Sequence, residues 1–203
     1  MIIIGLTGPS GSGKGEVSKI LSSYGFSVID ADSVYHDILM PPSDCLDELV
    51  RKFGRRILTA GNTLNRATLA SLVFGKGNEE NLEALNKITH KFVCRRIRNI
   101  EKSLNAAGCP VCVIDAPLLI ESGLDADCDF VIAVLAEKNL RAARVSARDK
   151  ISSDDALERI NSQKPEEYYS ENSEYTIYNN SDINALRAET ENILHERGVV
   201  IAK

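Results

Sequence analysis

Gly8-Pro9-Ser10-Gly11-Ser12-Gly13-Lys14 is the stretch that decides the fold. Before it runs Met1-Ile2-Ile3-Ile4-Gly5-Leu6-Thr7, an apolar segment of the length of a buried strand. After it Val17, Ile20, Leu21 and Tyr24 recur every three or four residues, as on one face of a helix. Strand, glycine-rich loop and helix form the context of a phosphate-binding loop, in which successive backbone N–H groups turn inward and the helix N-terminus adds its positive end. Lys14 brings a movable charge to the outer phosphates, and the glycines allow the tight curve and leave room for a ligand. The loop implies a nucleoside triphosphate, without saying what is done with it.

One position departs from the strict pattern. The residue after the lysine is expected to be Ser or Thr, whose hydroxyl reaches Mg²⁺; here Gly15 and then Glu16 follow. Glu16 cannot donate to a phosphate and would repel one unless it turns away or pairs with the metal.

With 203 residues and 43% hydrophobic content, the chain can form one ordinary α/β core with room for insertions. The net charge of −5 and the lack of a long basic block argue against a general nucleic-acid binder. No stretch reaches the roughly 18–20 apolar residues of a membrane span. The five cysteines are an odd count, and the first residues have no basic lead, which fits a reducing cytoplasm. Cys109-Pro110-Val111-Cys112 has CxxC spacing, but Val111 and Cys112 already begin an apolar strand, which argues against a redox or zinc role.

Along the chain, Gly25 to Asp30 leads into a second strand, and Asp30-Ala31-Asp32 stands at its carboxyl end, the edge where ligands collect on an open parallel sheet. Asp32 lies where a helix through Val34, Tyr35, Ile38 and Leu39 could begin, so catalysis and helix capping are both open for it. Helices are expected around Cys45–Phe53 and Leu69–Val73, then, after the break Phe74-Gly75-Lys76-Gly77, one long helix over about Glu79–Leu104. The run of helices between two sheet strands exceeds what a crossover needs; a substrate lobe and structural elaboration are the two readings. Val111–Asp115 and Phe130–Leu135 read as buried central strands. Asp115 ends the first of them, where an acid can hold Mg²⁺ directly or through water. The apolar Ala116–Glu121 segment should pack beside the site.

Arg141, Arg144 and Arg148 share one helical face within Glu137–Asp149. Three guanidinium groups facing one way call for an anion, either a triphosphate or acids such as Glu137. A second helix from Ser153 and a short piece from Glu166 complete a small lid, which would keep water from a phosphoryl-transfer site. Tyr175–Tyr178 is the last strand, and Ser181 or Asp182 caps a final helix with Ile183, Leu186, Ile193 and Leu194 inward.

Nucleotide loop, acceptor lobe and basic lid are the three parts of a small-molecule kinase. The expected architecture is α/β, a three-layer sandwich of the P-loop NTPase type with a parallel sheet, a helical substrate-binding insertion and a small helical lid. Residues 1–31, 109–136 and 171–203 form its nucleotide-binding core, 32–108 the acceptor lobe whose long helix packs on the core, and 137–170 the lid. Transfer would be in line, with Lys14 and the lid arginines around the developing charge. Asp32 would accept or orient the acceptor hydroxyl; carboxylates are weak bases, so orientation counts at least as much as proton removal.

The chain resembles the dephospho-coenzyme A kinases. The likeness runs through the loop, Val28-Ile29-Asp30-Ala31-Asp32, Phe53-Gly54, Thr63-Leu64-Asn65-Arg66, Leu85-Asn86, His90, Pro117-Leu118-Leu119-Ile120-Glu121, Arg148-Asp149, Gln163 and Asn179-Asn180. The resemblance implies ATP-dependent phosphorylation of the ribose 3′-hydroxyl of dephospho-CoA, with ATP and Mg²⁺ required; a monomer or weak homo-oligomer is expected. It implies that Asp32, Lys14 and Arg148 are catalytic. Gly8, Pro9, Ser10, Gly11, Ser12, Gly13, Lys14, Gly15, Glu16, Arg144, Asn179 and Asn180 would hold the nucleotide, the last two near adenine. Asp32, Arg66, His90, Pro117 and Leu118 would hold the acceptor, and Asp32 and Asp115 the metal. The departure at Gly15-Glu16 implies weakened direct metal coordination by the loop, and allows altered nucleotide preference or low activity. Lys91 stands where the family often has Pro, and could contact an acceptor phosphate. Two rivals stand beside this reading: a nucleoside or nucleotide monophosphate kinase of the same fold, and a nucleotide-binding relative with impaired catalysis.

Overall fold

A computed structural model describes residues 1–75 and 77–201. The chain divides into two compact units, Met1–Ile29 with Leu104–Lys203, and Asp30–Ser103. Lys76 of the expected chain break lies outside the described residues.

The first unit is built on strands β1 (Ile2–Thr7), β2 (Ser27–Asp30), β3 (Val111–Asp115), β4 (Phe130–Leu135) and β5 (Tyr175–Tyr178), in the spatial order β2-β3-β1-β4-β5. β1 pairs in parallel with β3 and with β4, and β4 with β5. Strand alternation sorts the side chains. Ile4, Leu6, Val111, Val113, Phe130, Ile132 and Val134 point to one face, where helix α1 (Lys14–Ser23) contributes Val17, Ile20 and Leu21 to the same cluster. On the opposite face Ala133 and Leu135 meet Tyr169. Gly5 belongs to that second face too; a Cβ there would lie 2.7 Å from Leu119 Cδ2 and 2.9 Å from the Cys128 sulfur, so glycine lets the segment after β3 close over β1 without displacing these side chains.

The Asp30–Ser103 unit is helical. Helix α2 (Ala31–Asp37) follows β2 directly, then come α3 (Asp44–Phe53), a 3-10 turn at Arg55–Ile57, α4 (Arg66–Val73) and α5 (Glu79–Ala106). Leu39, Leu49, Phe53, Ile57, Leu69, Val73, Leu85 and Phe92 form its own core. Ser43 and Asn65 cap α3 and α4 through side-chain oxygens, and Gly54 closes α3 with φ 84°.

After β4 the first unit continues with α6 (Lys138–Asp149), α7 (Ser153–Asn161) and α8 (Glu166–Glu171), and ends with α9 (Ile183–Glu196). Asp182 caps α9, accepting from the backbone N–H of Asn184 and Ala185. Leu186, Thr190, Ile193 and Leu194 are its buried side; Ile183, expected inward, is 47% exposed because it sits in the first turn, short of the sheet. Among the described residues no disulfide links the cysteines, and no helix is long and apolar enough to cross a membrane.

Burial decides the cost of substitution on this scaffold. Ile132→Ala, in the fully buried middle of β4, should cost about 3 kcal/mol, whereas Ile183→Ala should stay within about 0.5 kcal/mol. Urea unfolding of both variants checks the pair; comparable losses would place Ile183 in the core after all.

Candidate active site

β1 delivers the chain to the loop at the sheet's carboxyl edge, and register does the rest. Leu6 pairs with Asp115 of β3 and Thr7 with Ala133 of β4, so the loop rises between two strand ends, one of which carries a carboxylate. The Lys14 ammonium meets Asp115 Oδ1 in an ion pair, with both side chains largely buried. Thr7 Oγ1 donates to the carbonyl of Pro117 at 3.4 Å, which fixes the turn after β3 beside the loop's origin. Leu118, next along, is 46% exposed, while Leu119 is buried.

The loop curves with positive φ at Gly8, Gly11 and Gly13. The reason is tighter than ligand room alone. A Cβ on Gly8 would strike the Val134 carbonyl, one on Gly11 would come within 2.6 Å of the Arg141 carbonyl, and one on Gly13 would overlap the Asn179 amide. The loop is thus pressed against the protein from behind, and its outward carbonyls take donors there. Arg141 Nε donates to Ser10 O at 3.0 Å, Arg144 Nη1 to Gly11 O at 3.2 Å, and Asn179 Nδ2 to Ser12 O at 2.8 Å. Gln163 clamps Ser10, accepting from its backbone N–H at 3.2 Å and donating to its hydroxyl at 3.0 Å.

This geometry answers the question of the arginine face. Arg141 is buried, donates to Gln163 Oε1 at 2.9 Å and stands 3.7 Å from Glu166; burial pulls its pKa down and Glu166 opposes the shift. Arg144 also reaches Asn179 O at 3.1 Å. Arg148 makes a two-pronged pair with Asp149 at 2.7 and 2.9 Å, which holds the guanidinium pKa above its usual value. Arg141 and Arg144 therefore support the loop by its carbonyls, whereas Arg148 is held by the neighbouring Asp149 carboxylate. Glu137 does not neutralise Arg141; its backbone N–H is held by Asn180 Oδ1 at 2.8 Å.

Gly15 and Glu16 fall in the first turn of α1, and the Glu16 N–H donates to the carbonyl of the capping Gly13 at 2.9 Å. Gly15 faces open space: a Cβ there would meet nothing within 4 Å. Glu16 turns away from the loop to pair with Lys19 at 2.7 Å.

In the helical unit, Asp30 and not Asp32 caps α2: its side chain accepts from the Asp32 N–H at 2.9 Å and from Ser33 Oγ at 2.9 Å. The helix begins two residues earlier than expected, directly at the strand end, which places Asp30 at the cap and Asp32 in the exposed first turn. Arg66 opens α4 and its Nη2 lies 2.5 Å from His36 Nδ1. His90 is half-buried on α5, and burial lowers its pKa. Lys91 pairs with Glu48 at 2.7 Å.

Gln163 and Arg141 are the supports that sequence patterns underrate. Gln163 had only family likeness to mark it, and Arg141 looked the same as its neighbours one helical turn along. Nothing in the spacing tells a carbonyl-binding arginine from a phosphate-binding one.

A family model described as dephospho-CoA kinase (CoaE) matches residues 2–185. The dephospho-CoA kinase of Corynebacterium efficiens is 39% identical over 196 residues, 97% of each chain. Among solved structures, that of TT1252 from Thermus thermophilus aligns with a TM-score of 0.79 at 32% identity, covering 96% of this chain and 97% of its own. The dephospho-CoA kinase from Campylobacter jejuni aligns with a TM-score of 0.70 at 26% identity over 98% of both chains. On the match of nearly its whole length, the chain belongs to the dephospho-CoA kinase family.

Proposed function

We propose that this chain carries out its family's reaction, the ATP-dependent phosphorylation of dephospho-CoA to CoA, with the loop Gly8–Lys14 as donor site and the helical lobe that opens at Asp30 as acceptor site. The observation that carries the donor half is the loop itself, held from behind by its carbonyls so that its amides and Lys14 serve a triphosphate. An arriving phosphate competes with Asp115 for the Lys14 ammonium, and Lys14 then balances the charge that develops on the transferring phosphoryl group. Arg148 joins it from the lid when it leaves Asp149. Asn180 keeps its amide NH₂ for the adenine end, while Asn179 acts through the loop.

Asp115 fits a magnesium site: it is a carboxylate at the sheet's ligand edge, and Mg²⁺ needs only one or two such groups beside phosphate and water oxygens. The positions after Lys14 add no hydroxyl, since Gly15 has none and Glu16 is turned to Lys19. Mg²⁺, when bound, neutralises charge on the outer phosphates. On the acceptor side Asp32 orients the ribose 3′-hydroxyl and takes up its proton, Arg66 and His90 hold the anionic part of the coenzyme, and Pro117 and Leu118 line its apolar part.

Purified protein with Mg²⁺–ATP and a panel of dephospho-CoA, AMP, CMP and adenosine tests the reading. Phosphate should pass to dephospho-CoA only; transfer to a nucleotide alone would overturn it, and ATP binding without any transfer would make the chain a catalytically impaired relative. Asp32→Asn should lower kcat by about 10²–10⁴-fold with little change in ATP affinity, and an unaltered kcat removes Asp32 from the chemistry. Gly15→Ser should be accommodated without strain, because the position is open, and should lower the Mg²⁺ concentration that gives half-maximal activity. An unchanged Mg²⁺ requirement would mean the metal never approaches that position.

A further inference from the structure

We infer that His36 is a positioning residue for acceptor binding, which holds the Arg66 guanidinium in place for an anion of the phosphate class. The inference rests on Arg66 being part of the acceptor site.

Three observations lead to it. The first is the contact itself. Arg66 Nη2 lies 2.5 Å from His36 Nδ1. A guanidinium can only donate, so Nδ1 must be the acceptor, and the proton of the imidazole sits on Nε2. Histidine is therefore used here in its neutral form and in one tautomer, as an acceptor for a cation. That is an uncommon task for a residue on an exposed helix face, where either charge or simple solvation would cost nothing.

The second observation is the state of Arg66. Among the described residues no carboxylate pairs with it, although Asp, Glu or both stand in the first turn of α1, α2, α3, α5, α7 and α8. The first turn of α4 has no acid, and Arg66 itself occupies the first helical position. A cation there adds to the positive end of the helix dipole and is unfavourable until an anion arrives. The Asn65 side chain is spent capping the Thr68 N–H at 3.1 Å, so the base on which Arg66 stands is fixed.

The third is the company of the pair. Tyr35 packs edge-on to His36 with ring centroids 6.1 Å apart, and Arg66 lies near enough to Tyr35 to oppose the rise that burial causes in the Tyr35 pKa. Arg66 thus lies beside two consecutive residues of α2, Tyr35 and His36. Both belong to the helix that begins with Asp32, the carboxylate proposed to orient the acceptor hydroxyl. α2 accordingly carries one group for the hydroxyl and, one turn on, one group for the arginine that would hold the same molecule's phosphate. Without His36 the long Arg66 side chain would sample many rotamers and lose that freedom on binding.

Steady-state kinetics on the intact protein test this, with dephospho-CoA varied at saturating Mg²⁺–ATP. His36→Ala should raise KM for dephospho-CoA about fivefold, with kcat and the KM for ATP within about twofold of the parent. His36→Asn, whose side-chain oxygen stands near the place of Nδ1, should restore most of the loss. Arg66→Ala should raise KM further, and adding His36→Ala to it should do nothing more, because the two act as one unit. Far-UV circular dichroism of each variant should match the parent. An unchanged KM in His36→Ala, or losses that add in the double variant, would overturn the role of His36 while leaving Arg66 in the acceptor site. An unchanged KM in Arg66→Ala would overturn both.

Discussion

A peptide loop that turns its N–H groups inward turns its carbonyls outward, and those carbonyls must be satisfied somewhere. Here the demand falls on oxygen atoms that are buried or partly so, and an unmade hydrogen bond at a fully buried one costs roughly 1–3 kcal/mol. Ser10, Gly11 and Ser12 are answered by Arg141, Arg144 and Asn179, and these answers come from the segments after β4 and β5. The position of α6 and of the β5 end is thereby fixed relative to β1. The three glycines are the other side of the same constraint. The main chain of Val134 and Arg141 and the Asn179 amide approach so closely that Gly8, Gly11 and Gly13 have no space for a side chain.

Electrostatics on the inner side are simpler. Lys14 and Asp115 neutralise each other in a largely buried spot at the carboxyl edge of the sheet, so neither charge is left unpaired. The Gly15-Glu16 pair changes little around this centre. Glu16 is engaged with Lys19 on the helix surface, and Gly15 leaves space where other loops put a hydroxyl. The departure from the usual loop is an omission on an intact frame, not a rearrangement of it.

Much of this was legible in the sequence. Apolar runs located the three central strands, because buried parallel strands leave continuous apolar signatures such as Val111–Ile114 and Phe130–Leu135, and the short edge strands β2 and β5 followed from the breaks around them. The loop and its lysine were equally plain. What periodicity could not resolve was the use of polar side chains. Asp30 and Asp32 are the same residue type two apart, and only the backbone at the strand end decides which one caps. Arg141, Arg144 and Arg148 share a face, yet two of them serve carbonyls that become available only once the loop has curved. Ile183 looked like core because the pattern continues through the first turn, whereas burial depends on where the helix axis meets the sheet.

The attachments of Ser10 have a mechanical consequence. Arg141, near the start of α6, and Gln163, just past α7, both grip that one residue, and they grip each other. The α6–α7 hairpin therefore stands with both feet on the loop. A hairpin anchored at both ends cannot swing like a door about a single hinge; it can only flex between its feet, over the stretch from about Val145 to Ile160. Any shift of Ser10 pulls on both feet together, so the loop and the hairpin above it are geared to one another at that serine.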